Sequence, residues 1–233
     1  MVLSPYGFLD GITSSGVVLA GLIIGLIYLR RGFKINSKPL KILGFATIFA
    51  GLMYLGVFLD FMSVLGTGVN LDNSMGQVGL LSYVWFAPVI VCAIWFGAII
   101  EPRVKPIYII SIFIVIGVIF EIVVFLDPLN SFEFKTITNG TLLTDYSIRR
   151  FTIAEFLMIG LLGPVMIFMG IGAIIAMRKS TGILKKKFLA GLGGILCFAI
   201  FGFMEGLGEQ LGGFIVIVRI GYISSFLLMY LAL

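Results

Sequence analysis

Apolar residues in this chain fall into seven runs, each about long enough to cross a bilayer, separated by short polar segments. The runs lie at 11–29, 40–60, 80–100, 107–126, 152–177, 188–204 and 213–233. A hydrocarbon core of roughly 30 Å takes about 20 residues of helix, each rising about 1.5 Å. The runs are continuous rather than alternating, which predicts helices; barrel strands alternate over about 10 residues. The chain reads as all-α integral membrane protein: one domain, residues 1–233, folded as a seven-transmembrane-helix bundle. The fifth run is long enough to tilt or kink.

The polar segments give the bundle a direction. Arg30, Arg31, Lys34, Lys38 and Lys41 follow the first run, Arg103 and Lys105 the third, and Arg178, Lys179, Lys185, Lys186 and Lys187 the fifth. The alternate segments hold only Lys135, Arg149 and Arg150. Basic loops stay in the cytoplasm, so the N-terminus is predicted outside and the C-terminus inside a cell membrane. Residues 1–10 have no Lys or Arg, so the charged start of a signal peptide is missing and the first run serves as its own insertion signal. Among the outer loops, Ser63–Gly79 is glycine-rich with one charge, Asp72. The largest, Asp127–Arg150, places Asn139-Gly140 between the β-prone runs 131–138 and 141–146. Both turn positions need positive φ, which predicts a short β-hairpin over the outer mouth. Asn139-Gly140-Thr141 also fits the glycosylation acceptor pattern.

Composition agrees: 60% of residues are hydrophobic and 12% charged, and mean hydropathy is +1.18. A soluble domain is about 25% charged. The net charge of +5 sits at run ends and is not a nucleic-acid signal. Cys92 and Cys197 lie inside runs and read as small buried hydrophobes. The chain has no His, which excludes imidazole metal sites and His-based catalysis. No phosphate-cradling glycine loop appears in a strand–helix context, and the last run has no Lys for a retinal Schiff base. No enzyme activity, metal or cofactor is expected.

Glycines mark the packing. Gly21-x-x-x-Gly25, Gly202-x-x-x-Gly206 and Gly191-Leu-Gly-Gly194 allow close backbone approach. Pro88, and Gly163-Pro164 as a candidate hinge, should kink their helices. The chain also echoes itself. Runs one and five leave through Arg30-Arg31 and Arg178-Lys179, and runs two and six end on acids, Asp60 and Glu205. Runs 1–3 and 5–7 share a direction, with run four between them, as in a parallel three-plus-one-plus-three duplication.

Candidate chemistry lies in the few ionisable groups within the runs, which are costly unless they face a partner or a cavity. Glu121, Glu155 and Arg219 come from different helices yet share a depth of ~6–9 Å below the outer edge. Tyr83, Trp85 and Tyr54 would line that layer, and Asp60, Glu205 and Glu209 would ring the mouth above it. Arg219 needs a carboxylate, with Glu155 and Glu121 as candidates. The excess negative charge then leaves a protonated acid, a bound cation or a cationic ligand. An ion pair that only locks the bundle uses the same residues.

The stretch Lys38-Pro-Leu-Lys-Ile-Leu-Gly through Asp60, the following Leu80-Leu-Ser-Tyr-Val-Trp-Phe-Ala-Pro88, and Lys185-Lys-Lys-Phe-Leu-Ala-Gly-Leu-Gly-Gly194 resemble the seven-span sensory region ahead of some archaeal and bacterial histidine kinases. The resemblance implies a sensor or receptor module taking a ligand or ion signal at its outer face. The chain stops at Leu233 with no kinase or other output domain, which leaves two expectations: a stand-alone relative, or a separate cytoplasmic or membrane effector chain as partner, with oligomerisation compatible. Uncharacterised seven-span archaeal proteins share this pattern. Two other readings stand beside it: a small-solute or ion transporter, and a structural or assembly subunit packed through its glycine faces.

Overall fold

The computed structural model describes residues 3–100, 106–134, 140–206 and 214–231. Helix, continuous or interrupted, occupies the described part of each of the seven apolar runs. Helix α1 (Pro5–Lys34) opens on Ser4, whose side chain accepts from the Gly7 amide at 3.1 Å, and on Pro5, whose fixed φ suits a first turn. It ends with Arg31 and Lys34 against the negative pole of the helix. It starts well before the apolar run does, so Asp10 is a helical residue.

The second run is two helices, α2 (Lys38–Leu52) and α3 (Leu55–Thr67), bent by 45°. The Gly56 amide leaves the helical ladder and donates to Ser82 Oγ at 2.9 Å, and the Tyr146 hydroxyl donates to the Met53 carbonyl at 3.4 Å. A hydroxyl inserted into the ladder bends a helix. Only glycine fits at 56, since a Cβ there would stand 2.0 Å from the Val78 carbonyl oxygen. The third run is also interrupted, α4 (Gln77–Tyr83) and α5 (Phe86–Ile100) flanking Val84-Trp85. Pro88 explains this break as expected: it offers no N–H to the Val84 carbonyl and its ring crowds it.

Next come α6 (Pro106–Leu126), the single turn α7 (Pro128–Ser131), β1 (Phe132–Phe134), β2 (Tyr146–Ile148), α8 (Ile153–Lys179), α9 (Gly182–Gly206) and α10 (Ile215–Leu231). Among the described residues, three stretches are long and apolar enough to cross a membrane: α1, α4 with α5, and α6; α2 with α3 makes a fourth if the bent pair is one span. Ile112, Val115, Val118 and Ile122 of α6 are more than half exposed, a face suited to lipid rather than water. The chain is thus a mostly helical protein of membrane type.

α1 packs most closely on α2, α2 on α5, and α10 on both α9 and α1; α5 packs on α6 and α8, and α8 on α9. Glycine permits the tightest contact. A Cβ on Gly21 would lie 2.6 Å from the Gly51 Cα, and one on Gly25 would lie 2.8 Å from the Gly44 carbonyl oxygen. In lipid, such van der Waals contact replaces hydrophobic burial as the force between helices. One apolar cluster joins α1, α2 and α10 around Val17, Tyr28, Val218 and Phe226; another joins α5, α6 and α8 with the strands around Ile94, Phe120, Phe132 and Leu161.

The two-stranded ribbon differs in register from the expected outer hairpin. β1 and β2 pair antiparallel, Phe132 with Ile148 and Phe134 with Tyr146. Residues 141–145 are not strand, because their backbone bonds go elsewhere. The Thr141 carbonyl takes the Ser4 amide at 2.9 Å, the Leu142 carbonyl takes Asn70 Nδ2 at 2.9 Å, and the Thr144 amide goes to Asp60. Gly140 has the positive φ expected of it, 77°; Asn139 lies outside the described residues.

Candidate functional site

Arg219 is 3% exposed on α10, and its partner is neither of the expected glutamates. Its guanidinium forms an ion pair with the Asp10 carboxylate of α1. Nη1 also donates to Ser14 Oγ and, at 2.7 Å, to the Asp10 backbone carbonyl, with Thr13 Oγ1 at 3.4 Å. Asp10, Thr13 and Ser14 stand at i, i+3 and i+4, so α1 brings all three to one face. The Ser14 hydroxyl donates to the Asp10 carbonyl at 2.8 Å, which leaves its lone pairs for the guanidinium. Tyr54, at the α2–α3 break, lies under the cation with Cζ 5.2 Å from its ring centre, and Tyr222 meets Tyr54 edge-on at 5.6 Å. First helix, last helix and the bend of the second run thus meet at one neutralised charge. The sequence hid this because Asp10 precedes the apolar run that was counted as membrane.

Glu155 is a helix cap. Its amide donates to Thr152 Oγ1 at 3.3 Å and its carboxylate accepts the Phe151 amide at 2.5 Å. Thr152-x-x-Glu155 is a capping-box pattern, a signal readable in the sequence. Tyr83 belongs to an aromatic cluster with Phe132 at 5.1 Å, Tyr146 at 5.9 Å and Phe86 at 6.2 Å. Trp85 stacks on Phe49 at 5.8 Å. Of the expected wall residues, Tyr54 reaches Arg219. The carboxylate oxygens of Glu121 are buried on α6 without a hydrogen-bond partner among the described residues. α8 runs through Gly163-Pro164 as one helix; among the described residues, apolar runs are interrupted at Met53-Tyr54 and Val84-Trp85. The Glu205 side chain and Glu209 lie outside the described residues.

Asp60 is fully buried rather than open at a mouth. Its carboxylate accepts from the Leu71 amide at 2.6 Å, the Thr144 amide at 2.6 Å and Asn70 Nδ2 at 2.9 Å. Asn70 Oδ1 accepts the Gly140 amide at 2.7 Å. With Ser4 bonded to Thr141, this node ties the N-terminus and both long loops into one cap over the Arg219 layer. Hydrogen bonds to a charged group contribute about 1.5–3 kcal/mol each. Asn70 was missed: a polar residue in a glycine-rich loop has no periodicity to mark it. Among the described residues, no three His, Cys, Asp or Glu side chains converge to hold a metal.

No protein-family model matches the chain, and no curated protein matches it in sequence.

Proposed function

We propose that this chain is a seven-span membrane protein of sensor or receptor type, N-terminus outside, that takes a ligand or ion signal at its loop-bearing end. The observation that carries the reading is the buried Asp10–Arg219 pair. It joins the first and last helices directly beneath a cap knitted by Asp60 and Asn70. An event that shifts the cap shifts Asp10, and Arg219 follows with α10, whose other end lies across the membrane beside the basic turns. Those turns would meet a separate effector chain.

The packing also fits the three-plus-one-plus-three duplication. α1 on α2, α2 on α5 and α10 on α1 are answered by α8 on α9, α9 on α10 and α5 on α8, with α6 between the halves. Repeats and interrupted spans also occur in transporters, and the breaks at Met53-Tyr54 and Val84-Trp85 favour that class as the second reading. Proteoliposomes loaded with proton-, sodium- or potassium-sensitive dyes separate the two. A sensor leaves the imposed gradients as they decay in protein-free vesicles. Faster decay that is lost with the Asp10–Arg219 pair overturns the sensor reading in favour of transport.

A further inference from the structure

Exposed apolar side chains on α6 face lipid along the flank of a helix. Phe151 is different. It stands in the turn between the ribbon and α8, is 88% exposed, and holds φ at 59°. A bulky residue rarely enters the left-handed region, and doing so costs about 1–3 kcal/mol. The surrounding bonds impose it. The Arg149 amide donates to the Ser131 carbonyl at 2.9 Å, the Thr152 hydroxyl donates to the Arg149 carbonyl at 2.7 Å, and the Phe151 amide donates to the Glu155 carboxylate. Glycine would take this backbone without strain. The turn therefore gives no reason for a phenyl ring, and a ring so exposed has little of its own chain to pack on. Its partner lies outside the chain.

The surroundings of the ring indicate which partner. Leu126 ends α6 at 81% exposure, Leu129 follows on α7, and Ile153 and Phe156 open α8; all are exposed. α7 packs on α6 and α8, and Arg149 bonds to Asn130 and Ser131, so these residues gather at one corner of the bundle. The corner continues the lipid face of α6, which includes Ile122, past the end of that helix. Arg149 and Arg150 are exposed at its rim. Apolar side chains at the ends of spans, edged by cations, match the boundary where acyl chains give way to phosphates. Large exposed apolar patches mark interaction sites, and this one is continuous with a face already suited to lipid.

We propose that Phe151 and its neighbours form a phospholipid-binding wedge. The ring inserts among the upper acyl chains of the adjoining leaflet, and Arg149 and Arg150 contact the lipid phosphates. This stands independently of the sensor reading and of which side of the membrane that leaflet occupies.

The test places a nitroxide at residue 151 (Phe151→Cys, with Cys92 and Cys197 replaced by Ala) and, in a second protein, at Leu129, with the whole chain in nanodiscs of phosphatidylcholine and phosphatidylglycerol. Paramagnetic resonance then measures collision of each label with oxygen, which concentrates among acyl chains, and with a neutral nickel chelate, which stays in water. A label at Ser74, exposed in the glycine-rich loop, serves as the aqueous reference. The oxygen-to-nickel collision ratio at residues 151 and 129 should exceed that at Ser74 several-fold. A ratio at residue 151 equal to that at Ser74 puts the ring in water and overturns the proposal. Low collision with both reagents also overturns it, because protein, such as a second copy of this chain, then covers the corner. Arg149→Gln/Arg150→Gln should raise nickel collision at residue 151, and an unchanged ratio overturns the phosphate contact. If the residue 151 variant does not fold, the label at Leu129, which lies beyond the span, decides by the same criteria.

Discussion

Removing half of the Asp10–Arg219 pair should cost far more than removing all of it. Arg219→Leu leaves the Asp10 carboxylate between α1 and α10 with its side chain 13% exposed, and Asp10→Leu leaves a guanidinium 4% exposed. Thr13, Ser14 and the backbone carbonyl of residue 10 would still offer oxygens to the guanidinium, but no charge. Breaking one side of a buried pair costs about 3–5 kcal/mol, most of it the price of the orphaned ion. Replacing both partners by apolar groups is often neutral or stabilising. The double variant Asp10→Leu/Arg219→Leu should therefore lie within about 1 kcal/mol of wild type or above it, although each single variant loses about 3–5 kcal/mol. The coupling energy then exceeds the usual limit for independent sites, about 0.5 kcal/mol, several-fold. Denaturant unfolding in mixed micelles, followed by tryptophan fluorescence and circular dichroism, gives the four free energies. Additive single effects, or a loss below about 1 kcal/mol for either single variant, would refute the pairing.

Three further outcomes follow from the same contacts. Asp60→Leu deprives three N–H donors of their acceptor at about 1–3 kcal/mol each, so the thermal midpoint should fall and proteolysis within Asp127–Arg150 should accelerate; an unchanged cleavage rate contradicts the cap. Gly51→Leu forces apart helices whose backbones touch at Gly21, and overpacking of this kind costs about 1–3 kcal/mol or more; a stable, wild-type-like variant contradicts that contact. With Cys92 and Cys197 replaced, a cysteine at Ser74 should react with an impermeant maleimide in intact cells, and one at Ile35 only after lysis. The reverse pattern would invert the proposed orientation.

The helices were legible because lipid imposes a length and a continuity that composition alone satisfies, and Pro88 announced its own break. The α2–α3 break was not legible, because its cause is a hydroxyl from another helix: Ser82 is 26 residues from the Gly56 amide it captures. The Arg219 layer was half legible. Burial demanded a carboxylate, but the choice among acids depended on where α1 begins, which Ser4 and Pro5 decide rather than hydrophobicity. Glu155 was misassigned for a related reason, since depth counting overrode a capping pattern present in the residues themselves. The antiparallel pairing in this loop was anticipated but its second strand lies at 146–148, because residues 141–145 satisfy their backbone on Asp60, Asn70 and Ser4, partners that strand propensity does not register.

In the proposed mechanism, the Asp10–Arg219 pair transmits the state of the cap to the far end of α10. Spin labels at Ile35, in the α1–α2 turn, and Leu231, at the end of α10, are both exposed and report the distance across that end. A pair that transmits should, when replaced by Asp10→Leu/Arg219→Leu in a folded protein, displace or broaden that distance on the scale of a helix shift, about 1–2 Å. Superimposable distance distributions from the wild type and the folded double variant would contradict the claim and leave the pair as a structural lock.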